Sequence, residues 1–183
     1  MTVEVREHYI AQLMRNPQEH GLTEAKFVHT PHIITAHSTR LRCQYLCHTK
    51  GQSAVCPPSS PTQLDTIKIL EEYRFGLMLR REIEAGTEKD PEVWASFHAA
   101  MLWAEGESSR RGYSKAFAIG VGNCIYQHLS DDTRPCAYPG KSRPTLEAIG
   151  VNLTETLDIL GWDAYLVRKP QDPFQMFALL LLE

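Results

Sequence analysis

Phe174-Gln175-Met176-Phe177-Ala178-Leu179-Leu180-Leu181-Leu182 holds the longest apolar run of the 183-residue sequence, Met176 to Leu182. A membrane span needs about 18 such residues. The run is too short for that, and its length between polar neighbours reads as a buried strand. Upstream of it, Asn152 and Glu155 cap a helix that stops at Gly161, and Ser142 caps a shorter one that stops at Gly150. Ala116 to Val121 reads as a second apolar strand and Phe75 to Leu79 as a third. Between those two, Asp90 caps and Pro91 starts a long helix on which Trp94, Phe97, Met101 and Ala104 recur at helical spacing.

The N-terminal third continues the alternation. Residues 3–15 form a helix striped by Val5, Ile10, Leu13 and Met14 and ended by Asn16-Pro17. Lys26 to His37 has the β-branched content of a strand, interrupted at Pro31. Ser60-Pro61-Thr62-Gln63 opens a helix, with Ser60 as cap, Gln63 reaching back to it, and Leu64, Ile67, Leu70 and Tyr73 on the buried face. Interleaved strands and helices predict an α/β fold: one domain over residues 1–183, a small mixed sheet flanked by helices, and a cysteine-rich loop from Arg40 to about Pro58. From Cys124 to Lys141 there is no periodicity, and an irregular stretch that long inside a compact domain is usually functional, often wrapped around a ligand.

Composition narrows the function. Apolar residues make up 43% and charged ones 22%, as in ordinary globular domains. A net charge of -3 gives no general attraction to nucleic acid or anionic membrane, so neither is expected as a partner. The start, Met1-Thr2-Val3-Glu4-Val5-Arg6-Glu7-His8, lacks the basic-then-apolar layout of a secretion signal, and a cytoplasmic location is expected. There, thiols stay reduced. Five cysteines are also an odd number for a disulfide framework, and three of them crowd into Cys43-x3-Cys47-x8-Cys56. Such crowding in a reducing compartment points to metal. Short loops let soft thiolates converge on one iron–sulfur cluster, Pro57 redirects the chain after Cys56, and Gly51 lets the loop fold back. Cys124 can supply a fourth thiolate, and Cys136 competes for that role.

Two further readings stand beside this one. Zinc also takes four cysteines, or three and a histidine, and His48 adjoins Cys47; but Cys56 and Cys124 make no second close pair. A lone cysteine, finally, is most often a small buried apolar residue. Around the cysteines lie His29, His32, His37 and His128, of which His37 and His128 are the candidate acids or bases. His98, a turn from Met101, reads as structural. Arg40, Arg42, Arg134, Lys141 and Arg143 flank the cysteines and can offset the charge of a thiolate-bound cluster or hold an anionic substrate, Arg42 being the candidate for the latter.

The run Cys47-His48-Thr49-Lys50-Gly51-Gln52-Ser53-Ala54-Val55-Cys56-Pro57-Pro58 resembles the signature of a family of predicted metal-binding proteins of unknown function from bacteria and archaea: a Cys, then Tyr-Gly, then Cys-Pro-Pro. Gly122-Asn123-Cys124, Arg134-Pro135-Cys136-Ala137-Tyr138-Pro139 and Arg143-Pro144-Thr145-Leu146-Glu147-Ala148-Ile149-Gly150-Val151 are similar to its second half. Lys50 stands where the family usually has Tyr, and Gln127 and Ser130 stand where relatives often carry further cysteines. The resemblance implies metal binding and supplies no reaction.

Together these readings predict a [4Fe-4S] protein, with zinc as the alternative. Cys43, Cys47 and Cys56 bind three irons, and the fourth is held by Cys124 or Cys136 or left open. An open iron suits a small-molecule enzyme for hydration, dehydration or sulfur transfer on an anionic substrate. A closed one suits electron transfer to a redox partner protein, and zinc suits a structural binding module.

Overall fold

The computed structural model describes residues 3–47, 55–87, 90–120, 138, 140–163 and 172–183. Its helices are α1 (Val3–Arg15), α2 (His37–Tyr45), α3 (Gln63–Glu71), α4 (Pro91–Arg110) and α5 (Leu153–Ile159). Its strands are β1 (Glu24–His29), β2 (Phe75–Ile83), β3 (Phe117–Ile119) and β4 (Phe174–Leu181), in the spatial order β1-β2-β4-β3. The α/β class and the flanking of a small sheet by helices are as expected. All three ladders are antiparallel, and a single parallel bridge, Gly120 to Thr145, lies outside the named strands.

β4 lies inside the sheet, and that position explains its composition. It pairs with β2 from Gly76↔Leu181 to Ile83↔Phe174, and with β3 from Phe117↔Leu181 to Ile119↔Leu179. A strand covered on both faces gains nothing from polar alternation, so its sequence is a continuous apolar run. Its alternate side chains feed two separate cores. Met176, Ala178, Leu180 and Leu182 join Leu77 and Leu79 of β2 against Leu13 of α1 and Phe97, Met101 and Ala104 of α4. Phe177, Leu179 and Leu181 join Met78 against Leu70 of α3, Leu157 of α5 and the segment Leu146, Ile149, Val151. Burying a side chain such as Leu179 is worth about 1.5–3 kcal/mol. Among the described residues no helix is long and apolar enough to cross a membrane.

The helix starts follow cap chemistry. Asp90 accepts from Glu92 N at 2.9 Å with Pro91 in the first turn, and Asn152 accepts from Glu155 N at 3.3 Å. Three expectations need correcting. α3 is capped by Thr62, not Ser60: Asp65 N donates to Thr62 Oγ1 at 3.1 Å and Thr62 N to Asp65 Oδ2 at 3.0 Å, while Ser60 is buried. The strand expected over Lys26 to His37 ends at His29, where Thr30-Pro31-His32 forms one 3-10 turn. No helix follows Ser142. Pro144 disfavours helical backbone in the residue before it, and the segment instead bonds to the sheet rim, Gly120 N to Pro144 O at 2.9 Å and Leu146 N to Gly120 O at 3.2 Å.

Candidate metal centre

Cys43 stands on α2, a helix with no buried residue, where a loop was expected. Tertiary bonds hold this helix at its first turns. Ala36 N donates to Gly150 O at 2.8 Å, and the Arg40 guanidinium donates to the Pro61 carbonyl. Cys47 follows directly after the helix end, where Leu46 N closes the last turn on Arg42 O at 2.9 Å.

Cys56 belongs to the turn that leads into α3. Its carbonyl accepts from Ser60 N at 3.1 Å, with Val55 and Pro57 buried on either side. Ser60 Oγ, itself buried, donates to Ala148 O at 3.1 Å and ties this turn to residues 145–150. That segment is bolted from several sides. Thr66 Oγ1 of α3 donates to Ile149 O at 2.7 Å, and Ala148 N donates to Thr145 Oγ1 at 3.0 Å. Gly150 has a φ of +87°, and a Cβ there would lie 2.9 Å from Gln63 Cβ, so only glycine lets the segment approach α3 this closely. α2, the Cys56 turn and residues 145–150 therefore share one frame, on which Glu147 is half-buried.

The three thiols are half-buried. Burial pushes the Cys43 thiol above its usual range. The neighbouring negative groups Glu147, Cys47 and Cys56, in that order, push it further, and Arg40 opposes them. Among the described residues, no three His, Cys, Asp or Glu side chains are grouped so that they could hold a metal ion. In chemistry the donors fit a thiophilic metal: soft sulfur, with one carboxylate at the edge.

A family model described as "predicted metal-binding protein (DUF2284)" matches residues 26–182. The chain belongs to this family. The match takes in all four strands, apart from the first residues of β1, and the whole frame that carries Cys43, Cys47, Cys56 and Glu147. DUF2284 membership makes metal binding the family's predicted property and leaves the metal open, as the resemblance of Cys47 to Pro58 implied. No curated protein and no solved structure matches the chain.

The remaining candidates of this DUF2284 chain are dispersed. His37, the first residue of α2, and Arg42 are both exposed. Cys124, Cys136, His128 and Arg134 lie outside the described residues, as do His48, Lys50 and Gly51. Arg143, expected to face an anion, is committed elsewhere. Its Nε donates to Glu105 Oε2 at 2.8 Å and its Nη2 to Oε1, and Glu105 Oε2 also accepts from Ala118 N at 2.7 Å. His98 Nε2 donates to Lys141 O at 2.7 Å, in keeping with a structural role, and burial holds its pKa below the usual value. His29 and His32 line an open cleft of about 520 Å³ with Glu71, Tyr73 and Arg74, their rings edge-on at 6.0 Å. Glu147 carried no separate signal in the sequence. It sits some ninety residues beyond Cys56, and only the fold brings it back.

Proposed function

We propose that the protein binds metal through Cys43, Cys47 and Cys56, with a [4Fe-4S] cluster as the first reading. One observation carries the proposal: in a chain whose family is predicted to bind metal, the helix that bears Cys43 and the turn that bears Cys56 are both bonded to residues 145–150, through Ala36 N to Gly150 O at 2.8 Å and Ser60 Oγ to Ala148 O at 3.1 Å. The fourth position falls to Cys124 or Cys136 or stays open. When bound, a cluster with an open iron supplies a Lewis acid for hydration, dehydration or sulfur transfer on an anionic substrate. The chain's own part is to offer thiols that give up their protons as the metal binds, to hold their segments through the Ala36–Gly150 and Ser60–Ala148 bonds, and to bring a substrate anion to exposed Arg42, with His37 and His128 as proton carriers. Electron transfer is the same centre with every iron ligated.

A single zinc ion is the second reading, since zinc also takes three thiolates with one further donor. Oxygen-free purification followed by iron, sulfide and zinc determination separates the two. Brown protein absorbing broadly near about 400 nm, with iron and acid-labile sulfide lost on Cys43→Ser, supports the cluster. Colourless protein with zinc lost on Cys43→Ser selects zinc. Metal-free protein, or metal indifferent to the substitution, overturns both.

A further inference from the structure

β1 forms one edge of the sheet and pairs only with β2. Thr30 N donates to Arg74 O at 3.1 Å, and that alternation, carried back along the register, turns the N–H groups of Lys26 and Val28 toward β2. Those of Ala25, Phe27 and His29 point out of the sheet, and among the described residues no backbone carbonyl accepts from them. Edge strands usually carry charged side chains that ward off another strand. Here Glu24 and Lys26 are both folded back onto their own chain. Glu24 Oε2 accepts from Arg80 Nη2 at 2.7 Å, and Lys26 Nζ donates to Leu160 O at 2.8 Å, 4.9 Å from the centre of the Trp162 ring. At the middle of this unguarded edge Phe27 is 38% exposed, its ring stacked on Phe75 at 5.1 Å. The other edge differs: β3 has only three residues, and the bridge from Gly120 to Thr145 occupies its end.

We propose that β1 pairs with β1 of a second copy of this chain, antiparallel across a two-fold axis at Phe27, so that the sheets of the two protomers become continuous. The inference does not depend on the metal reading. A two-fold contact offers the same surface from both sides, and β1 is complementary to itself in this register. Phe27 meets its own copy, a favourable aromatic cross-strand pair, and the small Ala25 lies opposite the large His29. The outward N–H and C=O of Phe27 then bond reciprocally with those of the other copy. Neighbouring registers are blocked. With the axis at Ala25, Phe27 would face Thr23, whose N–H already donates to Arg80 O at 2.7 Å and whose carbonyl accepts from Gln18 Nε2 at 3.2 Å. With the axis at His29, Phe27 would face Pro31, which has no N–H to give.

Sedimentation velocity of the full-length chain over a range of concentrations tests this, with reductant present so that disulfides between copies contribute nothing. Phe27→Lys sets two like charges against each other at the axis. Phe27→Pro removes an N–H that serves no bond to β2, so the protomer keeps its ladder while the second copy loses its own. Leu64→Lys, at a residue 59% exposed on α3, is the control. The unsubstituted chain should dimerise as concentration rises, and the Phe27 amide should exchange slowly in the dimer and fast in the monomer. Each Phe27 variant should raise the dissociation constant about 10–100-fold, and Leu64→Lys should leave it unchanged. Far-UV circular dichroism checks each fold, and should one Phe27 variant unfold, the other decides. A chain that stays monomeric to about 1 mM overturns the proposal. So does a dimer that tolerates the folded Phe27 variants, one that Leu64→Lys weakens equally, or one in which exchange at Phe27 is as fast as in the monomer.

Discussion

Gly150→Ala tests whether the frame under the proposed metal centre is as tight as the structure shows, with Gly161→Ala as its internal control. Both glycines have left-handed backbone, at φ +87° and +64°. An alanine in that region costs about 1–2 kcal/mol. At Gly161 nothing lies within 4 Å of the added Cβ, so the backbone term is the whole cost. At Gly150 the Cβ also meets Gln63 Cβ at 2.9 Å and Cγ at 3.0 Å, on a residue buried at the start of α3. Such overpacking adds about 1–3 kcal/mol, which brings Gly150→Ala to about 2–5 kcal/mol. With a urea m-value near 2 kcal/mol/M, the midpoint should fall by about 0.5–1 M for Gly161→Ala and about 1–2.5 M for Gly150→Ala. Equilibrium urea unfolding followed by circular dichroism reads both. Equal midpoints for the two variants would refute the close approach of residues 145–150 to α3, and with it the clamp that presents Glu147.

Other perturbations have definite outcomes. Arg143→Met leaves Glu105 without its partner; with side-chain exposures of only 9% and 15% the cost is about 2–4 kcal/mol, seen as a fall in thermal midpoint of roughly 5–12 °C. Thr62→Ala removes the α3 cap and should cost about 1 kcal/mol in urea unfolding. His98 is held neutral in the fold by burial, so the unfolded chain binds the extra proton first: stability should decline as pH falls below about 6.5, and His98→Gln should flatten that slope in a pH series of unfolding midpoints. In the metal-free protein, alkylation of Cys43 should require a higher pH than an ordinary thiol, and Glu147→Gln should move its rate profile to lower pH.

The elements that sequence reading found are those whose signals are local. The helix over residues 3–15, the Asp90-Pro91 start of α4, the Asn152 cap of α5 and the apolar strand β4 are each dictated by periodicity or capping within a few residues. α2 escaped because a helix with no buried residue carries no apolar stripe. The expected helix after Ser142 failed because bonds to Gly120, distant in sequence, outcompeted a local preference. Thr62 displaced Ser60 as a cap for a similar reason, since Ser60 is drawn inward to Ala148. The cysteine group announced itself through spacing alone. Glu147 did not, because the tie between its segment and the Cys56 turn, Ser60 Oγ to Ala148 O, spans 88 residues of sequence.

Metal-edge X-ray absorption on the loaded protein measures the ligand shell directly. Thiolate ligation by Cys43, Cys47 and Cys56 predicts sulfur scattering at about 2.3 Å, reduced when Cys43 is replaced by serine. A shell of oxygen and nitrogen alone at about 2.0–2.2 Å, unchanged by that replacement, would show that the cysteines do not hold the metal.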